Sequence, residues 1–310
     1  MLSVKLIVAQ GIEVLGLFFE TPFFSSEKGR TSAASINLPL KIIDLTEPHL
    51  EVVKNPKHGY GENMNPCIDC HALMLRKAGD MLQEEGASFI VTGEVLGQRP
   101  MSQNKKALFI VAAQSGYGNL ILRPLSAKRL PMTLPEEKGW VRREQLLDIF
   151  GRSRKPQMEL ARTFGITKYP SPAGGCLLTD QVFSKRLKDL FSSRSGPALR
   201  EIELLKVGRH FRIGPHTKLV VGRNKQENET LLFLSEDKDL MLTTVTVPGP
   251  TALVLGALSP ELEDLATVIT ASYSDAKEGE STQVKLLERG EERYRMARRT
   301  DKRPFRVYMI

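Results

Sequence analysis

The hydrophobic positions of residues 1–190 form short apolar runs that alternate with segments of helical spacing. Leu75, Ala78, Gly79 and Leu82 recur at the spacing of one helix face, and Gly86 is a suitable residue to end that helix. Apolar runs predict strands over residues 12–19, 38–45, 88–92 and 120–122. Because strands that alternate with helices favour a parallel sheet with covering helices, the sequence predicts an α/β fold built on a doubly wound parallel sheet.

The pattern changes near residue 195. The segment from Ser192 to Pro197 has the Ser, Gly and Pro content of a linker. Beyond it, apolar runs predict strands over residues 202–207, 210–213, 218–221, 231–234 and 241–247, and helical spacing predicts a helix over 260–272. We therefore predict two domains, residues 1–195 and a smaller α+β domain over residues 196–310.

Charge and hydropathy narrow the possible partners. The 310-residue chain has a formal net charge of +8, which favours a polyanionic partner, although a basic surface is also common on soluble proteins. The chain has no apolar run long enough to span a bilayer, and no signal-peptide pattern follows Met1. The sequence therefore predicts a cytoplasmic protein with no membrane partner.

The three cysteines, Cys67, Cys70 and Cys176, are the main candidates for chemistry, and we interpret them as one site. Asn65 is a suitable N-cap and Pro66 a suitable first helical residue, which places the first two cysteines in the opening turn of a helix. The unpaired amides and the dipole at that end favour the thiolate, the form that attacks electrophiles and binds metals.

Other interpretations of the cysteines remain open at this point. Gly174 and Gly175 precede Cys176 and would let its loop approach the helix closely. Cys67 to His71 also spells the attachment pattern of a c-type haem, which requires export. Three cysteines with His71 could hold a structural zinc, and the cysteines could also be unrelated core residues.

A second candidate site follows the strand predicted over residues 88–92. The loop after it contains Gly93, Glu94, Gly97 and Gln98. Ligands of open α/β sheets bind beyond the carboxyl ends of strands, where glycines let the backbone approach them. We predict that these four residues bind a ligand; the alternative is an ordinary strand-to-helix loop.

Basic clusters are candidates for contact with RNA. The residues that we predict to bind RNA are Arg152, Arg154 and Lys155 in one cluster, Arg223 and Asn224 after a predicted strand, and Arg298 and Arg299 in the arginine-rich tail. A charge cluster is also a common feature of a solvated surface, so the prediction depends on more than charge.

Four short motifs occur in order over residues 1–190: Cys67-x-x-Cys70, Thr92-Gly93-Glu94 with Ser102-Gln103, Leu122-Arg123-Pro124-Leu125, and Gly174-Gly175-Cys176-Leu177-Leu178-Thr179. Together they resemble the tRNA thiouridylases of the PP-loop ATP pyrophosphatase superfamily, the ThiI and MnmA enzymes, and ThiI most. Residues 202–310, with Leu219 to Asn224 and Asn228, resemble the RNA-binding domain of NFACT proteins.

The first resemblance implies an adenine nucleotide alpha-hydrolase-like fold that binds ATP and Mg²⁺, with Gly93, Glu94, Gly97 and Gln98 at the nucleotide. It implies a tRNA sulfurtransferase that adenylates a uridine of tRNA and then replaces AMP by sulfur, making 4-thiouridine. The sulfur donor would be sulfide or a persulfide carrier. Cys67, Cys70 and Cys176 would be catalytic, either as ligands of a [4Fe-4S] cluster or through a cysteine persulfide.

The resemblance is incomplete at one place. The pyrophosphate-binding loop of the family should precede the first helix, and the sequence shows no such loop before Leu2. Two alternatives therefore accompany the main interpretation: a catalytically inactive RNA-binding protein that lacks the ATP loop, and an anticodon 2-thiouridylase.

Overall fold

The chain divides into two units, Met1–Thr179 and Asp180–Ile310. We analysed a computed structural model, which describes residues 1–169, 175–193 and 196–310. The division lies ahead of the helix Gln181–Ser193, whereas the sequence places a linker at residues 192–197. Within the described residues, no helix is both long and apolar enough to cross a membrane.

The strands of the first unit form two separate parallel pairs. Strand β1 (Gly16–Glu20) pairs with β2 (Leu40–Asp44), with Gly16 opposite Leu40 and Glu20 opposite Asp44. Strand β3 (Ile90–Val91) pairs with β4 (Ile121–Leu122) over only two residue pairs. Seven helices accompany them in the described part of this unit: α1 (Leu2–Val8), α2 (Glu27–Ala34), α3 (Thr46–Lys54), α4 (Cys67–Asp80), α5 (Lys105–Ser115), α6 (Leu134–Glu137) and α7 (Lys155–Thr163).

The prediction of a doubly wound parallel sheet is wrong. The described residues contain two two-stranded parallel sheets and one six-stranded antiparallel sheet. The two parallel pairs are separate, and a cavity of about 590 Å³ lies against both of them, lined by Ile7, Phe18, Leu75 and Ile90 among others. The central strands of a doubly wound sheet are buried on both faces, but every residue of β1 is partly exposed.

The helix that carries two cysteines is well defined by its packing. Leu75 and Ala78 of α4 pack with Val111 of α5 and with Ile90 and Ile121 of the second strand pair. The predicted helical face is confirmed for those two residues and Gly79, which are buried on α4, but the helix ends at Asp80, before Leu82 and the predicted stop at Gly86. Helix α5 begins at Asn104, whose Oδ1 accepts a hydrogen bond from the amide of Ala107 at 2.9 Å, and it ends at Gly116 with φ +83°.

The second unit is an antiparallel sheet with helices on both faces. Its strand order is β10-β9-β7-β8-β6-β5. The strands are β5 (Arg209–Gly214), β6 (Thr217–Val221), β7 (Leu240–Thr244), β8 (Thr251–Gly256), β9 (Ser281–Glu288) and β10 (Glu291–Arg298). The helices are α8 (Gln181–Ser193), α9 (Leu199–Leu204), α10 (Lys225–Leu234) and α11 (Pro260–Ser272).

The two faces of this sheet have separate cores. On one face Ile269 of α11 packs with Phe211, Leu242 and Leu286. On the other face Leu204 and Leu231, from α9 and α10, pack with Val220 and Leu253. The strands predicted over residues 202–207 and 231–234 are wrong, because α9 and α10 occupy those segments.

Candidate functional sites

The three thiols lie close enough to affect one another. Cys67 and Cys70 occupy the first turn of α4, whose N-cap is Pro66. All three cysteines are free thiols. Burial, followed by the charges of Cys176 and Cys67, raises the pKa of Cys70. Burial, reinforced by Cys67 and opposed by amide hydrogen bonds and by Arg99, raises the pKa of Cys176 to about 11.

Two backbone and side-chain contacts hold the segment after Cys176. The amide of Leu177 donates to the carbonyl of Phe23 at 3.0 Å. The Nδ2 of Asn63 donates to the carbonyl of Thr179, also at 3.0 Å. Gly174, which belongs to the same sequence motif, lies outside the described residues. These contacts fix Cys176 next to the chain that leads into α4.

Cys70 contacts a buried histidine. Its Sγ lies 3.2 Å from Nε2 of His49. The ring of His49 is fully buried, and its centroid lies 5.6 Å from those of Phe23 and Phe24. Burial lowers the pKa of His49 to about 4, so the imidazole is neutral at pH 7. The sequence favoured a thiolate here, but burial outweighs the helix terminus and leaves a neutral thiol beside a neutral ring.

The same residues do not form a metal centre as they are placed. In the part of the chain that the structure describes, no group of three or more His, Cys, Asp or Glu side chains could hold a metal ion. The Sγ of Cys67 accepts a hydrogen bond from Nδ2 of Asn65 at 3.2 Å. The [4Fe-4S] cluster stays a prediction, and no step proposed below passes through it.

Two of the sequence motifs and His71, the residue after Cys70, meet at the carboxylate of Glu94. Its Oε2 accepts from Nε of Arg123 at 2.9 Å and from Oγ1 of Thr92 at 3.2 Å, and its Oε1 lies 3.1 Å from Nδ1 of His71. Burial raises the pKa of Glu94, but the hydrogen bond with His71 and the charge of Arg123 outweigh it, and the net pKa is lowered. Glu94 therefore ties α4 to the loops that follow β3 and β4.

A second pairing of this kind holds the neighbouring residue of α4. Asp69 is buried, and its carboxylate lies 2.7 Å from Nδ1 of His58 and accepts from the His58 amide at 2.9 Å. From the sequence, Asp69 and His71 are neighbours of the cysteines that could tune that site, and His71 is also a possible zinc ligand. Their partners could not be read from it, because His58 and Glu94 are distant in the chain.

A cavity of about 530 Å³ joins two groups of predicted residues. Gly93 and Gln98, predicted to bind a nucleotide, line it, and so do Arg152 and Arg154, predicted to bind RNA. Its volume lies within the range of about 300–1,000 Å³ that is usual for small-molecule sites. Glu94 and Gly97 are not among its lining residues, and Lys155 is exposed at the start of α7.

The polar atoms of this cavity are suited to a polar, anionic ligand. Arg99 lines it together with the two arginines of the basic cluster. Gln157 is buried in its wall, and neither polar atom of that side chain has a hydrogen-bond partner within the described residues. The buried Oγ of Ser3, which also lines the cavity, likewise has no hydrogen-bond partner within the described residues. Buried polar atoms normally have partners, so a bound ligand or water would complete them.

The predicted RNA contacts of the second unit are partly engaged within the protein. Nε of Arg223 donates to both carboxylate oxygens of Glu227, at 2.8 and 3.0 Å. Asn224 is the N-cap of α10, and its Oδ1 accepts from the amide of Glu227 at 3.0 Å. Nε of Arg298 donates to the carbonyl of Gly279 at 2.7 Å, and Arg299 donates to the carbonyl of Ala276.

The edge strand β10 presents two different faces. Arg293 and Arg295 form ion pairs with Glu263 of α11, at 3.2 and 2.7 Å. Tyr294 and Met296 alternate with them and are more than half exposed, at 51% and 65%. Lys285 of β9 lies opposite Tyr294 and pairs with Glu292 of the same face at 3.0 Å, and Arg298 lies further along β10 on the face of Tyr294. An exposed aromatic residue among basic residues is a feature of single-stranded nucleic-acid surfaces.

Comparisons with known proteins bear on the second unit. Residues 208–305 match the family model of the NFACT protein RNA binding domain. This match covers β5 to β10, and it confirms the prediction of a carboxyl-terminal NFACT-type RNA-binding domain. The match does not extend to the first unit, so the thiouridylase resemblance stays a prediction.

Two further comparisons add little. The C-terminal part of the fibronectin/fibrinogen-binding protein from Streptococcus suis aligns with a TM-score of 0.30 and 14% identity, over 78% of this chain and 100% of that one. A likeness at that TM-score carries no argument about fold or function. No curated protein matches the chain.

Proposed function

We propose that this protein binds RNA through its second unit, and that tRNA is the RNA that it binds. The match of residues 208–305 to the NFACT RNA binding domain is the observation that carries the proposal. The net charge of +8 supports it, because cations that neutralise phosphates supply most of the affinity for RNA. The choice of tRNA comes from the thiouridylase resemblance of the first unit.

We place the contact surface on the open face of β9 and β10. Tyr294 supplies a ring on which a base can stack, and Arg298 supplies a charge for a neighbouring phosphate, whereas Lys285 already pairs with Glu292 at 3.0 Å. Single-stranded RNA is read in this way, with bases stacked on aromatic residues and the backbone held by basic residues. Arg293 and Arg295 are not part of the surface, because α11 already neutralises them.

Mobility-shift and fluorescence titrations of the whole chain with tRNA test this proposal. Tyr294→Ala and Arg298→Ala should each weaken binding several-fold, and Arg298→Ala should reduce the slope of log affinity against log salt by about one. The matched control is Arg303→Ala: Arg303 is exposed and lies after β10, in a segment that packs against β5 at the opposite edge of the sheet. Salt-insensitive binding, or equal losses in all three variants, would contradict the proposed surface.

A second candidate function is sulfur transfer to tRNA by the first unit. The mutual influence of Cys67, Cys70 and Cys176 on their pKa values supports it, because such chemistry needs a second thiol within reach of the first. One cysteine would carry a persulfide received from a sulfur donor. Its terminal sulfur would attack a uridine carbon activated by ATP, AMP would leave, and a second cysteine thiolate would close a disulfide as the thiouridine is released.

Nucleoside mass spectrometry tests the second candidate. The chain, tRNA, ATP, Mg²⁺ and a persulfide donor should give thiouridine, and the yield should depend on ATP. Loss of product in Cys67→Ala and Cys176→Ala but not in Cys70→Ala would identify the pair that forms the disulfide. Absence of thiouridine together with tight tRNA binding would leave the RNA-binding function alone.

A further inference from the structure

The second unit contains a polar pocket that the RNA-binding surface does not use. Its volume is about 270 Å³, and it lies where α8 and α9 meet β5, β6 and the end of β8. His210, Arg212, His216 and Lys218 line it, together with Glu201 and several apolar residues. His210 and Lys218 are buried there and Arg212 is partly buried, which is an unusual concentration of basic residues for a protein interior.

Two cations of this pocket, Arg212 and Lys218, share one carboxylate. Arg212 donates to both carboxylate oxygens of Asp189, at 3.0 and 2.6 Å, and Nζ of Lys218 lies 3.6 Å from the same carboxylate. Arg186, next to Asp189 on α8, donates to the carbonyls of Leu205 and Gly208, at 2.8 and 3.0 Å. Among the described ion pairs, Asp189 is the one carboxylate within 4 Å of Arg212 or Lys218.

The charges are also deeply buried. Lys218 is 5% exposed and Arg186 is 9% exposed. Burial lowers the pKa of Lys218 to about 8, with Asp189 opposing the shift and Arg212 and Arg186 adding to it. Acidic residues further away, Asp180 and Glu227, act on Arg186, but Arg223 offsets them. A buried cation is unfavourable unless it is paired, so the site is incomplete by itself.

Unsatisfied polar atoms mark the same place. His210 is 1% exposed, and its Nε2 lies 2.8 Å from the carbonyl of Val207, so the Nε2–H donates there. Its Nδ1 is then an acceptor and has no hydrogen-bond donor within the described ranges, and Nε of Arg186, which does not line the pocket, has no acceptor there. A ligand hydroxyl or an ordered water could donate to this Nδ1, whereas a phosphate oxygen could not.

We propose that this pocket binds a phosphate group carried by a nucleotide. A phosphate accepts several charge-assisted hydrogen bonds at once, which is what Lys218 and Arg212 can donate. The pocket is close to the lower end of the size range for small-molecule sites, so it admits one nucleotide end and excludes a duplex. The nucleotide is either the end of an RNA strand, in which case the inference rests on the proposed RNA binding, or a free mononucleotide.

Titration calorimetry of the whole chain distinguishes these sources. The probes are AMP, inorganic phosphate, and two short oligoribonucleotides of one sequence, with a 5′-phosphate or a 5′-hydroxyl. Tighter binding of the phosphorylated strand assigns the pocket to an RNA end. Binding of AMP with no difference between the two strands assigns it to a free nucleotide. If neither AMP nor the 5′-phosphate has an effect, the proposal is overturned.

Lys218→Met tests the residue that carries the charge. It keeps the length of the side chain and removes its charge, and it should weaken binding of the phosphate probe about tenfold or more. Lys225→Met, at an exposed lysine on α10, is the matched control and should have no effect. Equal affinity in a folded Lys218→Met protein would overturn the proposal.

A measurement on the unaltered protein guards against misfolding of the variant. Sulfate, which does not titrate in this range, should bind more tightly as the pH falls towards 8, because Lys218 then becomes protonated. A flat profile would count against the pocket. Loss of RNA binding with retained phosphate binding would refute the proposed function alone, whereas RNA binding with no effect of AMP or of the 5′-phosphate would refute the pocket alone.

Discussion

The two units bury charge in opposite ways. In the first unit the carboxylate of Glu94 is surrounded by Arg123, His71 and Thr92, and its pKa is lowered. In the second unit the carboxylate of Asp189 is shared by Arg212 and Lys218, and burial lowers the pKa of the lysine. The first arrangement is complete and ties three segments together. The second leaves cationic groups without full compensation, as a site does when its ligand is absent.

The largest loss of stability should come from breaking the network of partners around Glu94. Arg123→Met leaves Glu94 buried with only a histidine as its ionic partner, and it should lower the free energy of unfolding by about 3–5 kcal/mol. Urea unfolding measures this. Lys54→Met is the matched control. Lys54 pairs with Glu51, whose side chain is largely exposed to solvent, so this ion pair should contribute less than about 1 kcal/mol.

A double variant separates the charge from the packing. Glu94→Gln with Arg123→Met removes both charges and should recover much of the loss seen in Arg123→Met alone. If the single variant is as stable as the unaltered protein, Glu94 is not held by Arg123 in the way described. If the double variant is no better than the single one, the loss comes from packing.

The buried histidine of the first unit should give the next largest effect. The pKa of His49 is about 4 in the folded protein and 6.5 in the unfolded chain, so the unfolded chain binds more protons between these two pH values. The stability is therefore complete above pH 6.5 and falls as the pH decreases towards 4, by about 3 kcal/mol. Unfolding curves at several pH values measure the slope.

His49→Gln should flatten that slope, and His216→Gln, at an exposed position, should leave it unchanged. A slope that survives His49→Gln would mean that other groups cause the acid sensitivity. The result also bears on Cys70, since its thiol contacts the neutral ring only while His49 stays unprotonated.

How much of this could be predicted from the sequence depends on the range of the interaction. The helix face of Leu75, Ala78 and Gly79 was predictable because its period is local. The strands at residues 210–213 and 218–221 were also predictable, and β5 and β6 confirm them. The runs at 202–207 and 231–234 failed because a short apolar run fits a buried strand and a helix face equally well.

The sheet and the pocket were beyond the sequence for a different reason. Strand pairing is non-local, and nothing in the apolar runs of 12–19 and 88–92 shows that a cavity lies against both strand pairs. The partners of Glu94 and Asp189 lie tens of residues away in the chain. Lys218 stands in a largely apolar strand and His210 in a strand with two arginines, and neither pattern shows that these side chains are buried.

Removing the charge of Lys218 should change the free energy of unfolding in the opposite direction to Arg123→Met. Lys218→Met deletes a desolvated cation and leaves Asp189 paired with Arg212, so it should raise the free energy of unfolding at pH 7 by about 1–3 kcal/mol. The unaltered protein should gain stability between pH 8 and 10.5, because only the unfolded chain keeps this lysine protonated there. Lys218→Met should lose that gain. Destabilisation by Lys218→Met would mean that the lysine is fully paired, and the contrast between the two units would fail.

The smallest effect concerns a residue that the sequence linked to RNA. Asn224 caps α10 through its bond to the amide of Glu227, so Asn224→Ala should lower the free energy of unfolding by about 1 kcal/mol. Asn224→Ser keeps a capping oxygen and should be close to neutral. If the side chain serves only the helix, tRNA affinity should be the same in Asn224→Ser and in the unaltered protein. A loss of affinity in the well-folded Ser variant would show that Asn224 contacts RNA, and it would extend the binding surface from β9 and β10 to the start of α10.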